Sequence, residues 1–537
     1  MHTEEQHIPI LIAGGALVGL STSLFLAWHG VPSLVVEKHP EPARLPRARG
    51  YNARTMELFR AIGLEETIRA AQSPTAANHG MIRTSSLASE EMVVLDEGAS
   101  PDLSALTPTT GTVIGQDTLE PILIEQARKL GSDIRFSTEL ISFEQNETGV
   151  SALLRDRTNG REWRVRADYL IAADGNRSRI REALGIKTQG PGTIAYMTDI
   201  AFEADLSDVL RGRNVYLYYI SNPALPDGQG GVMPLDNQRR WSFGTPIHPE
   251  RGERREDMTD ERCIAQIRIA VGVPDLDVKI LPAYPWDAVK VGMWEQAARA
   301  AERYQQGRVF LVGDAAHAVL PSGGLGAGTG IQDAFNLAWK LALVHSGKAG
   351  SALLRTYEEE RLPIGNLTVE QTRQRYFYRT GTGESRMIDT DELVFGYRYR
   401  SAAIITEGAA EQTALTQPPA TLNGEPGTRI PNLYVERDGK AVSTIDLCAG
   451  KWSLLVGEQG EIWKEAAQQV DLPLQVCMIG KEWKDVAGRF GEAYGVEATG
   501  AVLVRPDLFV AWRTCSAEHD PSGQLARAVK RILCLNQ

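Results

Sequence analysis

The chain has 537 residues, 43% of them apolar and 23% charged, the balance of an ordinary globular protein. At about 100–200 residues per domain, that length predicts roughly three to five units and excludes a peptide hormone, a disulfide-stapled miniprotein or a lone binding module. The formal net charge of −11 opposes non-specific binding to nucleic acid or to an anionic membrane surface.

Five cysteines (Cys263, Cys448, Cys477, Cys515 and Cys534) fall at no CxxC spacing. They predict free thiols in a reducing cytoplasm, with no zinc ribbon, disulfide framework or other metal site. From Ile8 to Val36 there is no Lys, Arg, Asp or Glu, a stretch long enough to span a membrane. Gly14-Gly15, Gly19, Gly30 and Pro32 interrupt it, and Glu4 and Glu5 stand where a signal peptide would be basic. It parses better as strand, turn, helix, turn and strand, all buried, as in a parallel sheet.

In chain order, Ile8–Ala13 is a strand, Leu17–His29 a helix stopped by Gly30, and Ser33–Val36 a strand ending at Glu37. Thr55–Ile62 reads as a short helix ended by Gly63. Asp117–Leu130 reads as a longer one, with Asp117 as cap and Glu120 completing a capping box. From about 190 to 285 the texture turns aromatic and alternating, as in Asn214–Ile220 and Arg240–Gly244, which predicts a mainly antiparallel sheet. The α/β pattern resumes at Arg308–Val312. A helix of about Gly330–His345 follows, with Ile331, Ala334, Phe335, Ala338, Trp339 and Ala342 at helical spacing. Helical, charged sequence runs to about 410, and Thr416–Pro431 reads as a linker. The tail carries strands at Trp452–Val456, Leu474–Met478, Ala501–Val504 and Leu508–Trp512 and a helix near Gln524–Ile532. No internal repeat is evident.

Three strings carry chemistry. Gly14-Gly15-Ala16-Leu17-Val18-Gly19 follows a strand, opens a helix and is succeeded by Glu37 at a strand end, the setting of a dinucleotide fingerprint. The helix N-terminus offers free N–H groups to a pyrophosphate, and Glu37 is an acceptor for ribose hydroxyls. Ala16 stands where the middle glycine would be. Ala173-Asp174-Gly175-Asn176-Arg177-Ser178 is a turn after the apolar strand Tyr169–Ala172. The longest string runs from Gly307 through Gly313-Asp314-Ala315-Ala316-His317 and Pro321, Gly323, Gly324, Gly326, Gly328 and Gly330 to Asp333. A strand delivers Asp314 to the ligand edge of an α/β sheet, and the glycines let backbone approach a flat ligand.

In this order and at these separations, the three strings resemble the class A FAD-dependent aromatic hydroxylases, the p-hydroxybenzoate hydroxylase-like family. The resemblance covers about residues 8–400. Ala501–Asp507 with Val510–Arg513 resembles the thioredoxin-like tail of phenol and polyketide hydroxylases, without CxxC. The resemblance implies a Rossmann-like α/β FAD-binding domain (1–185 and 286–410), with an excursion near 75–110. It implies an inserted antiparallel substrate sheet (186–285), a linker (411–431) and a tail domain (432–537).

It further implies that non-covalent FAD is held by Gly14, Gly15, Ala16, Gly19, Glu37, Lys38, Arg47, Gln116, Asp174, Asp314, Pro321, Gly324, Gly326, Ala327 and Gly328. The loop Pro321–Gly330 would lie along the isoalloxazine, with Pro321, Gly326 and Gly328 bordering oxygen transfer. Gly328 replaces an Asn frequent in the family. The implied reaction is hydroxylation of a phenolic, polycyclic polyketide-type substrate by NADPH or NADH and O2, through a flavin C4a-hydroperoxide. Baeyer–Villiger oxygenation and a non-oxygenating flavoprotein are the competing readings. Tyr216, Tyr218, Trp241, Phe243 and Trp286 are the candidates for substrate walls; sheet core is an equal reading for each. In a strand Tyr216 and Tyr218 share a face and Tyr219 opposes them. His317 reads as a structural residue of its loop more than as a base. A small-molecule partner, no nucleic acid or membrane, and a homodimer complete the expectation.

Overall fold

A computed structural model describes residues 6–42, 47–96, 102–284, 287–380, 386–407 and 414–535. The chain opens with strand β1 (Gln6–Ala13), helix α1 (Leu17–Trp28) and strand β2 (Ser33–Val36), followed by helix α2 (Ala53–Ala61). A hairpin, β3 (His79–Thr84) and β4 (Met92–Asp96), leaves this layer. Helix α3 (Gln116–Lys129) returns to it and leads into β5 (Asp133–Arg135), β6 (Thr138–Gln145), β7 (Val150–Asp156) and β8 (Glu162–Ala172). Strands β9 (Thr188–Glu203), β10 (Val215–Ser221), β11 (Gln229–Pro234) and β12 (Arg240–Gly244), helix α4 (Asp260–Val271), and strands β13 (Lys279–Leu281) and β14 (Gly292–Ala301) build the second sheet. Strand β15 (Val309–Leu311) rejoins the first, and helices α5 (Gly326–His345) and α6 (Arg355–Thr380) follow. The tail has β16 (Trp452–Val456), helix α7 (Ile462–Gln468), β17 (Leu474–Met478), β18 (Ala501–Val504), β19 (Val510–Thr514) and helix α8 (Pro521–Ile532).

In the first sheet β15, β8, β1, β2 and β5 are neighbours in that order and all parallel. Their carboxyl ends at Leu311, Ala172, Ala13 and Val36 therefore share one edge. The charge-free stretch 8–36 lies inside this layer. Every side chain of β2 is buried, as are ten of the twelve residues of α1. The polar residues of α1 are satisfied locally: Ser21 and Thr22 donate to the Leu17 and Val18 carbonyls at 2.7 Å, and Ser23 pairs with Ser33 at 2.8 Å. A buried helix tolerates hydroxyls on those terms.

The second sheet runs β14, β9, β12, β11, β10, β3, β4, so the hairpin β3–β4 supplies its far edge. Only β3–β10 is parallel there; the other numbered pairs are antiparallel. One face packs on α4, where Cys263, Ile267, Ala270 and Val271 meet Ile200, Phe202, Tyr218, Val232, Trp241 and Phe243.

The tail sheet runs β17, β16, β18, β19 with one parallel pair. Trp452 on it meets Trp339 of α5 edge to face, with centroids 5.6 Å apart, which seats the tail on the first layer.

Four expectations are corrected. Helix α3 starts at Gln116 with Gly115 as its cap and makes no side-chain capping bond, so the Asp117–Glu120 box does not form. Helix α5 starts at Gly326, four residues early, because its glycines allow close crossing: a Cβ on Gly330 would stand 2.6 Å from Val18 and one on Gly328 2.8 Å from Thr55 Oγ1. Helix α6 ends at Thr380, and between there and 410 the described residues hold one further short helix, Thr390–Phe395. The Thr416–Pro431 stretch is packed, bridging Tyr397 through Thr416, Arg398 through Thr428, and Phe509 through Arg429. Its prolines and glycines mark turns, and its backbone groups find partners.

Candidate functional site

The shared carboxyl edge of the parallel strands forms a trough. After β1, Gly14 has φ +111°, and a Cβ there would overlap the Ala173 carbonyl; one on Gly19 would overlap the Gly14 carbonyl. Both positions therefore admit only glycine. Ala16 is the cap residue of α1, in extended conformation, and its side chain makes no capping bond. The Gly15 N–H donates to Glu37 Oε2 at 2.8 Å, and Glu37 Oε1 accepts from His39 N–H at 2.9 Å, so Glu37 is held across the mouth of the turn. Lys38 beside it is exposed.

The trough's far wall is clipped on by Gln116. Its N–H donates to the Ala48 carbonyl at 2.8 Å, and its Oε1 accepts from Ala48 N–H at 3.3 Å. This fixes Arg47, whose Nη2 donates to the OH of Tyr284, in the bend after β13, at 2.9 Å. Gln116 Nε2 also donates to Glu120 Oε1 at 2.7 Å. Glu120 is 2% exposed; burial pushes its carboxyl up to about 7, against hydrogen bonds from Gln116 and the Leu17 N–H. Asp314, in the single turn Gly313–Ala315 after β15, is solvent-accessible yet closely surrounded by protein. That enclosure raises its pKa, opposed by His317 and Arg47, and among the described residues none donates a hydrogen bond to it.

The loop Pro321–Leu325 continues the trough. Pro321 and Gly324 are exposed, and Gly326 and Ala327, half-buried, belong to the first turn of α5. Gly328 abuts the Asn52 amide, which caps α2 through Thr55 N–H at 2.9 Å. Arg375 of α6 packs its stem against Gly323.

One sequence candidate is structural. His317 Nε2 lies 2.6 Å from Asp333 Oδ2, wholly buried. Asp174 Oδ2 accepts from the Ile180 N–H at 3.2 Å, in a short helix that Ser178 caps, while its Oδ1 is buried with no hydrogen-bond partner among the described residues and its turn touches Gly14.

The second sheet turns one face to this trough, and strand alternation decides which side chains it carries. Tyr218, Trp241 and Phe243 are on the opposite face, 2% exposed or less, in the core with α4, and Trp241 Nε1 donates to the Ala204 carbonyl at 3.2 Å. They are unavailable to a ligand. Their neighbours in sequence face the trough. Ser242 donates to Asp199 Oδ1 at 2.9 Å, Met233 Sδ touches Arg49, and Tyr219 lies beside Tyr376 of α6. Tyr216 does not share Tyr218's face as alternation predicts, because Val215 packs with Tyr218 in the α4 core; it is half-buried, its ring 5.7 Å from the Arg49 guanidinium. Trp286 lies outside the described residues.

One row of register crosses that face. Arg83 pairs with Tyr219, Tyr219 with Gly231, Gly231 with Gly244, and Asp199 with Gly292, while Ile200 opposite Phe243 sets Asp199 beside Gly244. Tyr219 and Asp199 are thus three strand spacings apart, about 14 Å, with only glycines between them. Burial raises the Asp199 carboxyl, opposed by Ser242, Arg49 and Arg47.

Residues 7–372 match the family described as FAD binding domain, and residues 423–534 match that described as aromatic-ring hydroxylase, C-terminal. The chain belongs to the FAD-dependent aromatic-ring hydroxylases. The tetracenomycin A2 monooxygenase-dioxygenase of Streptomyces glaucescens is 41% identical, over 99% of this chain and 98% of that protein. The 4-methyl-5-nitrocatechol 5-monooxygenase of a Burkholderia species is 39% identical, over 98% of each. The solved structure of an aklavinone-11 hydroxylase with FAD and aklavinone superposes with TM-score 0.90 at 37% identity, over 99% of this chain and 100% of that one.

The trough of this hydroxylase fits FAD by its own chemistry. The β1–α1 turn leaves no room for side chains, as a pyrophosphate site requires, and Arg47 on the far wall is a cation. Glu37 is a half-buried carboxylate at the end of β2, beside that turn, and Asp314 is an accessible carboxylate with no protein donor among the described residues. Sequence reasoning missed Glu120, Asp199, Tyr219, Ser242 and Tyr284. For Tyr219 and Ser242 the signal existed, since each sits one position from a chosen aromatic.

Proposed function

We propose that this hydroxylase places a flat, phenolic, polycyclic substrate between the loop Pro321–Leu325 and the trough-facing side of the second sheet. NADH or NADPH serves as electron donor, and one oxygen atom of O2 enters the ring. FAD, when bound, supplies the redox and oxygen-activating chemistry. The protein's own residues bind, orient and enclose.

Gly14, Gly15 and Gly19 with the N-terminus of α1 take the pyrophosphate, and Glu37 takes the ribose. Arg47 and Gln116 form the far wall with Asp314, and Pro321, Gly324, Gly326, Ala327 and Gly328 line the ring. The single observation that carries the substrate class is the register row from Tyr219 to Asp199. Its glycines leave a flat floor about 14 Å long, the span of a few fused rings. Tyr219 closes one end with a phenol; Asp199, held by Ser242, offers an acceptor for a substrate hydroxyl at the other.

The test is anaerobic reduction of the bound flavin by each nicotinamide, with and without a panel of phenolic polycycles, followed by product analysis in air. The expected result is faster reduction with a two- to four-ring phenol and a product heavier by one oxygen. A single-ring phenol giving the greatest stimulation would overturn the polycyclic reading. Ester formation or ring opening would overturn hydroxylation.

A further inference from the structure

The turn that joins β18 to β19 carries Arg505, Pro506 and Asp507. It is driven into the first layer, where Arg505 is wholly buried and Asp507 nearly so. Arg505 Nη1 and Nη2 donate to the two oxygens of Glu360 on α6 at 2.6 and 2.8 Å, and its Nε donates to Asp507 Oδ1 at 2.9 Å. Asp507 Oδ2 accepts from Asn336 of α5 at 3.2 Å. The Asp507 carbonyl accepts from Arg54 of α2 at 2.7 Å. One turn of the tail thus touches all three helices that back the flavin loop.

From there the contacts lead to the loop itself. Arg361, next to Glu360, donates to Asp333 Oδ1 at 2.7 Å and to the Thr329 carbonyl in the first turns of α5 at 3.1 Å. Asp333 Oδ2 accepts from the Gly313 N–H at 3.1 Å, directly before Asp314. Tyr399 closes the circuit: its hydroxyl accepts from Arg361 at 3.0 Å, and its ring stacks on Phe509 of the tail at 4.1 Å. On α2, Asn52 and Thr55 stand against Gly328.

A buried ionic cluster costs desolvation and is weak evidence for stability; its better-attested use is to fix one arrangement. We propose that the Arg505–Asp507 turn is a positioning element for the FAD site, setting Gly313, Asp314 and the start of α5 against the isoalloxazine. Arg505, Asp507 and Tyr399 are its positioning residues. The tail domain is then part of the cofactor site without touching the cofactor.

Three variants test this in the full-length protein: Arg505→Lys, which keeps the charge and loses the fork; Asp507→Asn; and Tyr399→Phe, which removes only one hydroxyl. Leu525→Ala, in the tail core away from the turn, is the control for general destabilisation. The readouts are the FAD dissociation constant and the visible circular dichroism of bound flavin, beside the far-UV spectrum and Tm. The expected result is a dissociation constant raised about tenfold in Arg505→Lys and Asp507→Asn and severalfold in Tyr399→Phe. All three show an altered flavin dichroism, and the control lowers Tm with wild-type affinity and dichroism. Wild-type affinity and dichroism in the folded variants, Tyr399→Phe included, would overturn the proposal; so would an equal loss in the control. Failure of the wild-type protein to take up FAD would instead strike the cofactor assignment.

Discussion

His317 Nε2 and Asp333 Oδ2 lie 2.6 Å apart, and neither side chain is exposed. Asp333 also accepts from the Gly313 N–H and from Arg361, so the histidine is one of three donors on a single buried carboxylate. That geometry makes His317 a brace for the loop rather than a base. Removing it leaves part of a buried charge unanswered, which costs about 2–4 kcal/mol. His317→Ala should therefore lower stability in chemical denaturation by that amount and weaken FAD uptake. The pH profile of turnover by the remaining holoenzyme should keep its limbs. Loss of one limb would make His317 a titrating participant.

Gly14 and Gly19 fail differently from ordinary glycines, because an added Cβ meets backbone rather than a movable side chain. Gly14→Ala and Gly19→Ala should each cut FAD affinity by about a hundredfold or more, equivalent to about 3 kcal/mol. Fluorescence titration of the apoprotein measures it. Gly63→Ala, at φ +77° with open space around it, is the matched control for left-handed strain alone and should keep wild-type affinity.

Glu120 gives the site a pH dependence whose sign can be worked out. Burial holds its folded-state value at about 7, above the ordinary 4.5, so the fold favours the protonated form. Ionisation costs stability as pH rises from 4.5 towards 7, and above 7 the penalty is constant. The carboxyl also accepts from the Leu17 N–H at the head of α1, where the FAD pyrophosphate is to sit, so its ionised form repels the cofactor. FAD affinity should fall severalfold between pH 6 and pH 8 in the wild type. Glu120→Gln should flatten that dependence, and its gain in Tm over the wild type should be larger at pH 8 than at pH 6. An unchanged slope in the variant would assign the titration elsewhere.

The parallel layer was legible because its signals are local. A charge-free stretch broken by glycines, a fingerprint before a helix, and Asp314 at a strand end each depend on neighbours within about twenty residues. The second sheet was legible as a sheet but not as a surface. Alternation separates Trp241 and Phe243 from Ser242, and Tyr218 from Tyr219, yet period two does not say which set faces a ligand. Helix α4 decides that by covering one face, and its docking is a tertiary fact. Aromatic residues drew attention as ligand walls for the same reason that they fill cores: large apolar area. The Arg505–Glu360 contact, 145 residues apart, left no local trace at all.

The two faces of β10 and β12 should therefore respond in opposite ways to substitution. Trp241→Phe removes the indole donor to the Ala204 carbonyl inside the core, and should lower stability by about 1–3 kcal/mol while leaving KM for the aromatic substrate unchanged. Tyr219→Ala strips one end wall from the glycine floor and should raise KM about tenfold or more with little change in Tm. Asp199→Asn keeps shape and an acceptor but loses the charge. It should weaken binding of hydroxylated substrates more than that of their deoxy analogues, because only the former present a donor to that end of the row. Steady-state kinetics on one substrate and its deoxy analogue, beside thermal melts, measures all three. If Trp241→Phe moved KM while Tyr219→Ala did not, the substrate would have to lie on the α4 side of the sheet, and the flat floor between Tyr219 and Asp199 would have no bearing on specificity.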